Sequence, residues 1–417
     1  MHLMFEVACG LDVHKETVVA CISVVRGKEQ TKEVRTFAAH TKGLRELRDW
    51  LKASRVEAIV MEGTGIYWRP VYAMLEGADV EWKLVVGNAH HVQKVPGRKT
   101  DVKDAEWLAE LVQFGLLTPS FIPPPEIRLL RDLTRYRKKL VQDRTRQQER
   151  VLKVLQAANI KLDGVASDAF GVSGMLMLRA LAEGKLTPKE MAALAKGTLK
   201  KKVDALEVAL DGTLGAVHRG MLTSALRVLD GFQAALAEVD ALIDKQAAPW
   251  AEALERLTSI PGFDRVMAVS VLAEVGPDMA TFPTEHHLAS WAGVSPGNNE
   301  SAGKSRDGRS QRGNPYLKTM LCQAAQSAWR TRDSYIRDKF FRLKARRGHN
   351  KAVMAIAHKL LFAVFHILKD GGEYKELGAN WLDQRDRARV ARGLVERLRT
   401  LGYDATLQER SAPSAAA

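Results

Sequence analysis

The chain has 417 residues, too many for one ordinary core, and so calls for two globular parts with a connector. Its 46% hydrophobic and 27% charged residues exclude wholesale disorder, because enough apolar surface exists to bury. A formal net charge of +14 selects polyanionic partners, nucleic acid first and an anionic membrane next.

The N-terminal residues read as alternating elements. Phe5 to Asp12, Thr17 to Val25 and Glu33 to Ala38 are predicted as three meandering strands. A helix over Thr41 to Ala53, started by a Thr cap, carries Leu44, Leu47 and Leu51 on one face. Val56 to Met61 is a strand, Trp68 to Glu76 a helix, Glu81 to Val86 a strand and Asp101 to Phe114 a helix. That order is the one a ribonuclease-H-like α/β fold would produce. Cys9, Cys21 and Cys322 lack any Cys-x-x-Cys spacing and are expected to be reduced core residues. No secretory leader pattern is present, so a cytoplasmic chain is expected.

Pro119 and the run Pro123-Pro124-Pro125 punctuate the chain, and its character then changes. Residues Glu126 to Lys153 hold ten basic and four acidic residues with apolar positions at helical spacing, a long basic helix. Its Arg135, Arg137, Lys138 and Lys139 are candidates for gripping a nucleic-acid backbone. Leu176 to Ala248 is rich in helix formers and suggests a helical hairpin or coiled-coil arm. Leu257 to Gly276 resembles a helix-hairpin-helix element, in which a Gly turn and a helix N-terminus approach a phosphate. The apolar run Ala352 to Leu368 is interrupted by His358, Lys359 and His366, so a buried helix is expected and not a membrane span.

Two groups of residues carry chemistry. Asp12 and Glu62 stand at predicted strand ends, and Asp101 and Asp104 lie three apart on one helix, a spacing that shares a face. Four such carboxylates suit a hard divalent cation, Mg²⁺ or Mn²⁺, acting on phosphodiesters. Capping and dipole roles for Asp101 and Asp104 are the competing reading. Farther on, Ser301 lies among Lys304, Arg306, Arg309 and Arg312, ahead of Lys318, and Ser301 to Lys351 holds fourteen basic and three acidic residues. A serine there would meet a phosphate whose charge is already neutralised. An ordinary loop serine is the alternative, and Ser305 is a second candidate. Gly303-Lys304-Ser305 lacks P-loop spacing, and the pairs His90-His91 and His286-His287 lack zinc-ligand spacing.

The segments Gly10-Leu11-Asp12-Val13-His14-Lys15-Glu16, Glu62-Gly63-Thr64-Gly65 and Lys99-Thr100-Asp101-Val102-Lys103-Asp104-Ala105 closely resemble those of DEDD-type insertion-sequence transposases. Ser301-Ala302-Gly303-Lys304 resembles the serine loop of the same family, with Ala302 where Gly is usual. The resemblance implies a RuvC-like DEDD domain over 1–120, a basic helical or coiled-coil region over 121–250, a C-terminal serine transposase domain over 251–380 and a helical or disordered tail over 381–417. It implies that Asp12, Glu62, Asp101 and Asp104 bind the metal and that Ser301 attacks DNA and becomes joined to it. It further implies donor and target DNA as substrates, a structured non-coding guide RNA, a homo-oligomer, dimer or tetramer, and a bacterial, nucleoid-associated setting without a membrane. A RuvC-like nuclease that hydrolyses DNA structures, and a non-catalytic nucleic-acid-binding scaffold, are the alternatives.

Overall fold

The computed structural model describes residues 3–63, 65–87, 101–117, 119–296, 299–301, 304–307 and 313–408, with only the backbone at 101–102, 299–301 and 304–307. Contacts divide the chain into two compact units, Met1–Ile122 and Pro123–Ala417.

The first unit is built on a mixed five-stranded sheet. β1 (Val7–Val13), β2 (Thr17–Arg26) and β3 (Glu29–Ala38) form an antiparallel meander, and β4 (Ala58–Glu62) and β5 (Lys83–Gly87) run parallel to β1. The order β3-β2-β1-β4-β5 is compatible with a ribonuclease-H-like fold. Gly27, at φ +63°, opens the tight connection between β2 and β3, where a positive φ matches the twist of the paired strands. β3 starts four residues earlier than expected. Its residues 29–36 are all exposed, so the outermost strand carries no apolar alternation to read. β5 is covered on its far side by a bridge from Gly87 to Pro119 and by the Ser120 N–H donating to the Val86 carbonyl at 2.8 Å.

Alternation along the strands gives the sheet two apolar faces. Cys9, Leu11, Ile59 and Met61 pack with Leu44, Leu47 and Leu51 of α1 (Thr41–Ala53) and with Val71 and Leu75 of α2 (Trp68–Glu76). Ala8, Ala58, Val60 and Val85 pack on the other face with Leu108 and Val112 of α3 (Asp101–Gln113). The cap of α1 is His40, not Thr41: its Nδ1 accepts from the Gly43 N–H at 3.1 Å, placing Thr41 inside the first turn.

The second unit begins with α4 (Pro125–Ala157), the long basic helix, which starts with proline at a position where no N–H is needed. It lies antiparallel to α7 (Ala216–Ala247), as the pairs Arg137–Asp240 and Gln147–Ala225 require. Together with α5 (Val172–Glu183) and α6 (Val203–Leu210) they enclose Val151, Leu155, Met177, Leu178, Leu206, Leu222 and Leu226.

Beyond follow α8 (Ala251–Thr258), α9 (Arg265–Val275), α10 (Glu285–Ala292), α11 (Pro315–Ala328), α12 (Tyr335–Arg347), α13 (His349–Asp370) and α14 (Arg387–Thr400). α13 is long and apolar enough to cross a membrane, yet Ala352, Ile356, Leu360, Leu361, Val364 and Phe365 are buried, and it packs on α8, α10, α11 and α12. Between α10 and α11 stands a small antiparallel pair, β6 (Asn299–Ser301) and β7 (Lys304–Asp307).

Candidate functional site

Three elements bring the acidic residues to one end of the first unit. Asp12 follows Gly10 by two residues and Glu62 follows Val60 by two, so both belong to the sheet face that α3 covers, at the C-terminal ends of neighbouring parallel strands. Gly10 sets the closeness of that cover. A Cβ there would lie 2.0 Å from the Ala105 carbonyl oxygen and 2.5 Å from the Ala109 nitrogen. At the other end of α3, the Gln113 carbonyl accepts from Met4 N at 2.8 Å, and Gln113 Nε2 donates to the carbonyls of Glu6 and Ser23 at 3.2 and 3.0 Å. With its C-terminus fixed at the start of β1 and Ala105 over Gly10, α3 points its N-terminal turn toward Asp12. Asp101 and Asp104 lie in that turn, and Asp104 is exposed. Lys32 of β3 holds the helix sideways, bonding Glu106 at 3.1 Å and Glu110 at 2.7 Å. Burial would lower the Lys32 pKa, but hydrogen bonds and charge from the two glutamates leave it raised.

Carboxylate oxygens are the donors that Mg²⁺ and Mn²⁺ prefer, so the residue types fit such an ion. Among the described residues no three His, Cys, Asp or Glu side chains are close enough to form a ligand set, and the Asp101 side chain is not among those described. Asp12 has a neighbour that the sequence reading gave no role: His14 Nε2 lies 3.0 Å from Asp12 Oδ2. The signal was the Asp-x-His spacing at a strand end, which turns both side chains the same way. A hollow of about 610 Å³ beside them is lined by His14, Lys15, Thr17, Gly65 and Tyr67.

In the second unit, Ser301 closes β6 and pairs with Lys304 at the start of β7, while Glu300 pairs with Ser305. Ser301, Lys304, Ser305 and Arg306 are thus brought onto one short hairpin as backbone. Arg309 and Arg312 lie outside the described residues, as do His90 and His91. Lys318 is half-buried in the first turns of α11, and His286 and His287 are exposed on α10.

The basic residues of α4 divide into two kinds. Arg135 donates from Nε and Nη2 to the two oxygens of Glu274 at 2.7 and 2.8 Å, and the Glu274 side chain is 1% exposed. Arg131 donates to the carbonyls of Ala273 and Glu274 at 2.9 and 2.7 Å. Burial alone would lower the Arg135 pKa, but the bonds and charge of Glu274 raise it. Arg137 is paired with Asp240. Arg135 and Arg137, expected to grip phosphates, are thus each paired with a carboxylate of the second unit, Arg135 with a buried one and Arg137 with a partly exposed one. Lys138 lies over the Tyr316 ring at 5.0 Å with its pKa lowered, first by burial, and Lys139 is exposed. Glu274 escaped the sequence reading, although a lone acid in the apolar run Ala268–Val275 signals a buried cationic partner.

Gly262 stands in the turn between α8 and α9, where a helix-hairpin-helix element is expected. Its φ of +84° makes the turn, but a Cβ there would lie 2.4 Å from the Ala324 carbonyl oxygen, so the glycine serves close packing on α11. The N-terminus of α9 is capped by Asp264, whose carboxylate accepts from Met267 N at 2.7 Å.

Comparison with known proteins adds two matches in chain order. Residues 9–160 match the IS110-type DEDD family model described as "Transposase", and residues 254–340 match the model described as "Transposase IS116/IS110/IS902 family". A Streptomyces coelicolor protein described as "Insertion element IS110 uncharacterized 43.6 kDa protein" is 32% identical over 167 residues, 39% of each chain. The "Transposase for insertion sequence element IS1111A" of Coxiella burnetii is 37% identical over 112 residues, 26% of this chain and 30% of that one. The aligned stretches span well under half the length of either relative.

Proposed function

Because the chain belongs to the IS110-type family of DEDD transposases, we propose that it is the transposase of an insertion sequence, cutting and rejoining donor and target DNA. Its first unit is a RuvC-like domain, α4 to α7 form the helical connector, and the helices around β6 and β7 form the serine domain. The observation that supports this reading most directly is that the N-terminal turn of α3, with Asp101 and Asp104, points toward the end of the sheet at which β1 and β4 end with Asp12 and Glu62.

Asp12, Glu62, Asp101 and Asp104 would hold the divalent ion, which when bound supplies positive charge against the phosphodiester oxygens. Ser301 is the nucleophile. Its Oγ forms a bond to phosphorus, the displaced deoxyribose oxygen leaves with the strand end and takes up a proton, and the serine proton passes to a base. A second strand's hydroxyl then attacks the same phosphorus and frees the serine, so no phosphate energy is lost to water. Lys304 and Arg306, brought to the same hairpin, together with Arg309 and Arg312, offset the phosphate charge. A structured non-coding RNA guides the reaction and several copies act together; the resemblance of both motif sets supports this.

Incubation with donor and target DNA, RNA transcribed from the element's ends and Mg²⁺, followed by denaturing electrophoresis, tests the proposal. Wild type is expected to give a covalent protein–DNA adduct, and Ser301→Ala none. An adduct of normal yield from Ser301→Ala rejects the nucleophile, and hydrolysed ends without attached protein favour the nuclease reading.

A further inference from the structure

The segment that carries Ser301 leaves α10 at Gly293 and rejoins the helical body at Gly313, and these two residues touch. Gly293 ends α10 with φ +73°, a conformation that favours glycine. A Cβ on Gly313 would lie 2.3 Å from the Gly293 nitrogen and 2.5 Å from the Ala292 carbonyl carbon. Gly313 therefore has no room for any side chain, although its own φ is unexceptional. The next residue, Asn314, accepts from Tyr316 N and Leu317 N at 3.0 and 3.2 Å to cap α11. Its Nδ2 donates to Glu274 Oε2 at 2.6 Å. Glu274 is in turn fixed by Nε and Nη2 of Arg135, and the Arg135 guanidinium lies 4.3 Å from the Tyr316 ring centroid.

We infer that Gly313, Asn314 and Glu274, with Arg135 behind them, are positioning residues that clamp the base of the serine segment. This rests on Ser301 being the nucleophile. The cap alone would be served by a serine or aspartate, and the ion pair alone would need no asparagine. What the asparagine adds is one amide that caps α11 with its oxygen and reaches the buried carboxylate with its nitrogen. The two ends of the segment are thereby held against each other, and one of them is locked to α4 and α9. A nucleophile fixed to within a fraction of an ångström reacts far faster than one on a loosely tethered loop.

The test uses the full chain and two readouts: the rate of adduct formation with the same DNA and RNA, and amide hydrogen exchange over residues 294–312. Asn314→Asp keeps the cap but sets a second carboxylate against Glu274. It is expected to slow adduct formation by about tenfold or more and to speed exchange by a similar factor, with DNA affinity changed by less than about threefold. Adding Glu274→Gln removes one of the two carboxylates and offers an amide N–H to the other, at the cost of one of the two Arg135 bonds, and both readouts are expected to recover in part. Asn314→Ser, which caps without reaching Glu274 and adds no charge, is expected to act in the same direction should Asn314→Asp fold poorly. Unchanged exchange in both single variants, or no recovery in the double variant, overturns the clamp. Changed and rescued exchange in a protein whose wild type gives no adduct leaves the clamp standing and rejects the nucleophile.

Discussion

At the scale of single residues, burial sets reactivity. Cys9 and Cys21 are buried in the first unit, and burial pushes both thiols up, Cys21 to about 11, with the charge of Glu106 adding to the effect. Burial likewise raises Cys322, despite the opposing charge of Lys318. A thiol held above its ordinary pKa carries less thiolate at any neutral pH, and the thiolate is the reactive form. Native protein at pH 8 is therefore expected to consume an alkylating reagent much more slowly than unfolded protein; mass spectrometry of iodoacetamide-treated samples measures it, and alkylation of Cys9 at the rate of a free thiol contradicts the assignment. Other residue roles were hidden from the sequence for a plain reason. Arg135 looks like any surface cation of a basic helix, and its partner Glu274 lies 139 residues away. The sheet face that Asp12 and Glu62 join was legible because alternation along a strand fixes it once the neighbours are apolar.

At the scale of elements, α3 turns its N-terminus toward the ends of β1 and β4, and Gly10 sets its distance from β1. Gly10→Ala would force the Ala105 carbonyl and the Ala109 nitrogen away from the strand. Overpacking of this kind costs ~1–3 kcal/mol, so thermal denaturation should show a lowered midpoint, and metal-dependent cleavage should fall with it. A midpoint equal to wild type would mean that α3 does not sit where Gly10 requires. The helices and buried strands of the first unit were legible because each carries an apolar face of its own. β3 was read short because its outer residues carry no such face, and the α1 cap was misplaced because His40 used a ring nitrogen where a hydroxyl was expected. The hairpin β6–β7 was not legible, since strands of three and four residues are too short for periodicity to register.

At the scale of the whole molecule, the +14 charge predicts nucleic-acid binding that weakens steeply with salt, and the structure sorts which cations contribute. Lys139 is exposed, whereas Arg137 is committed to Asp240. Lys139→Ala is expected to flatten the slope of log K against log[salt] by ~0.9, the value for one phosphate contact. Arg137→Ala should leave the slope unchanged and lower stability instead; equal slopes for Lys139→Ala and wild type would remove Lys139 from the interface. The sheet of the first unit bears on how copies of the chain meet. A border strand with unsatisfied backbone groups invites lateral polymerisation, but β3 lines its rim with Glu29, Lys32, Glu33 and Arg35, and β5 is shielded by Pro119. Strand-to-strand association between copies is therefore disfavoured at both margins of this sheet, and polymerisation through it would need one rim to be uncovered first.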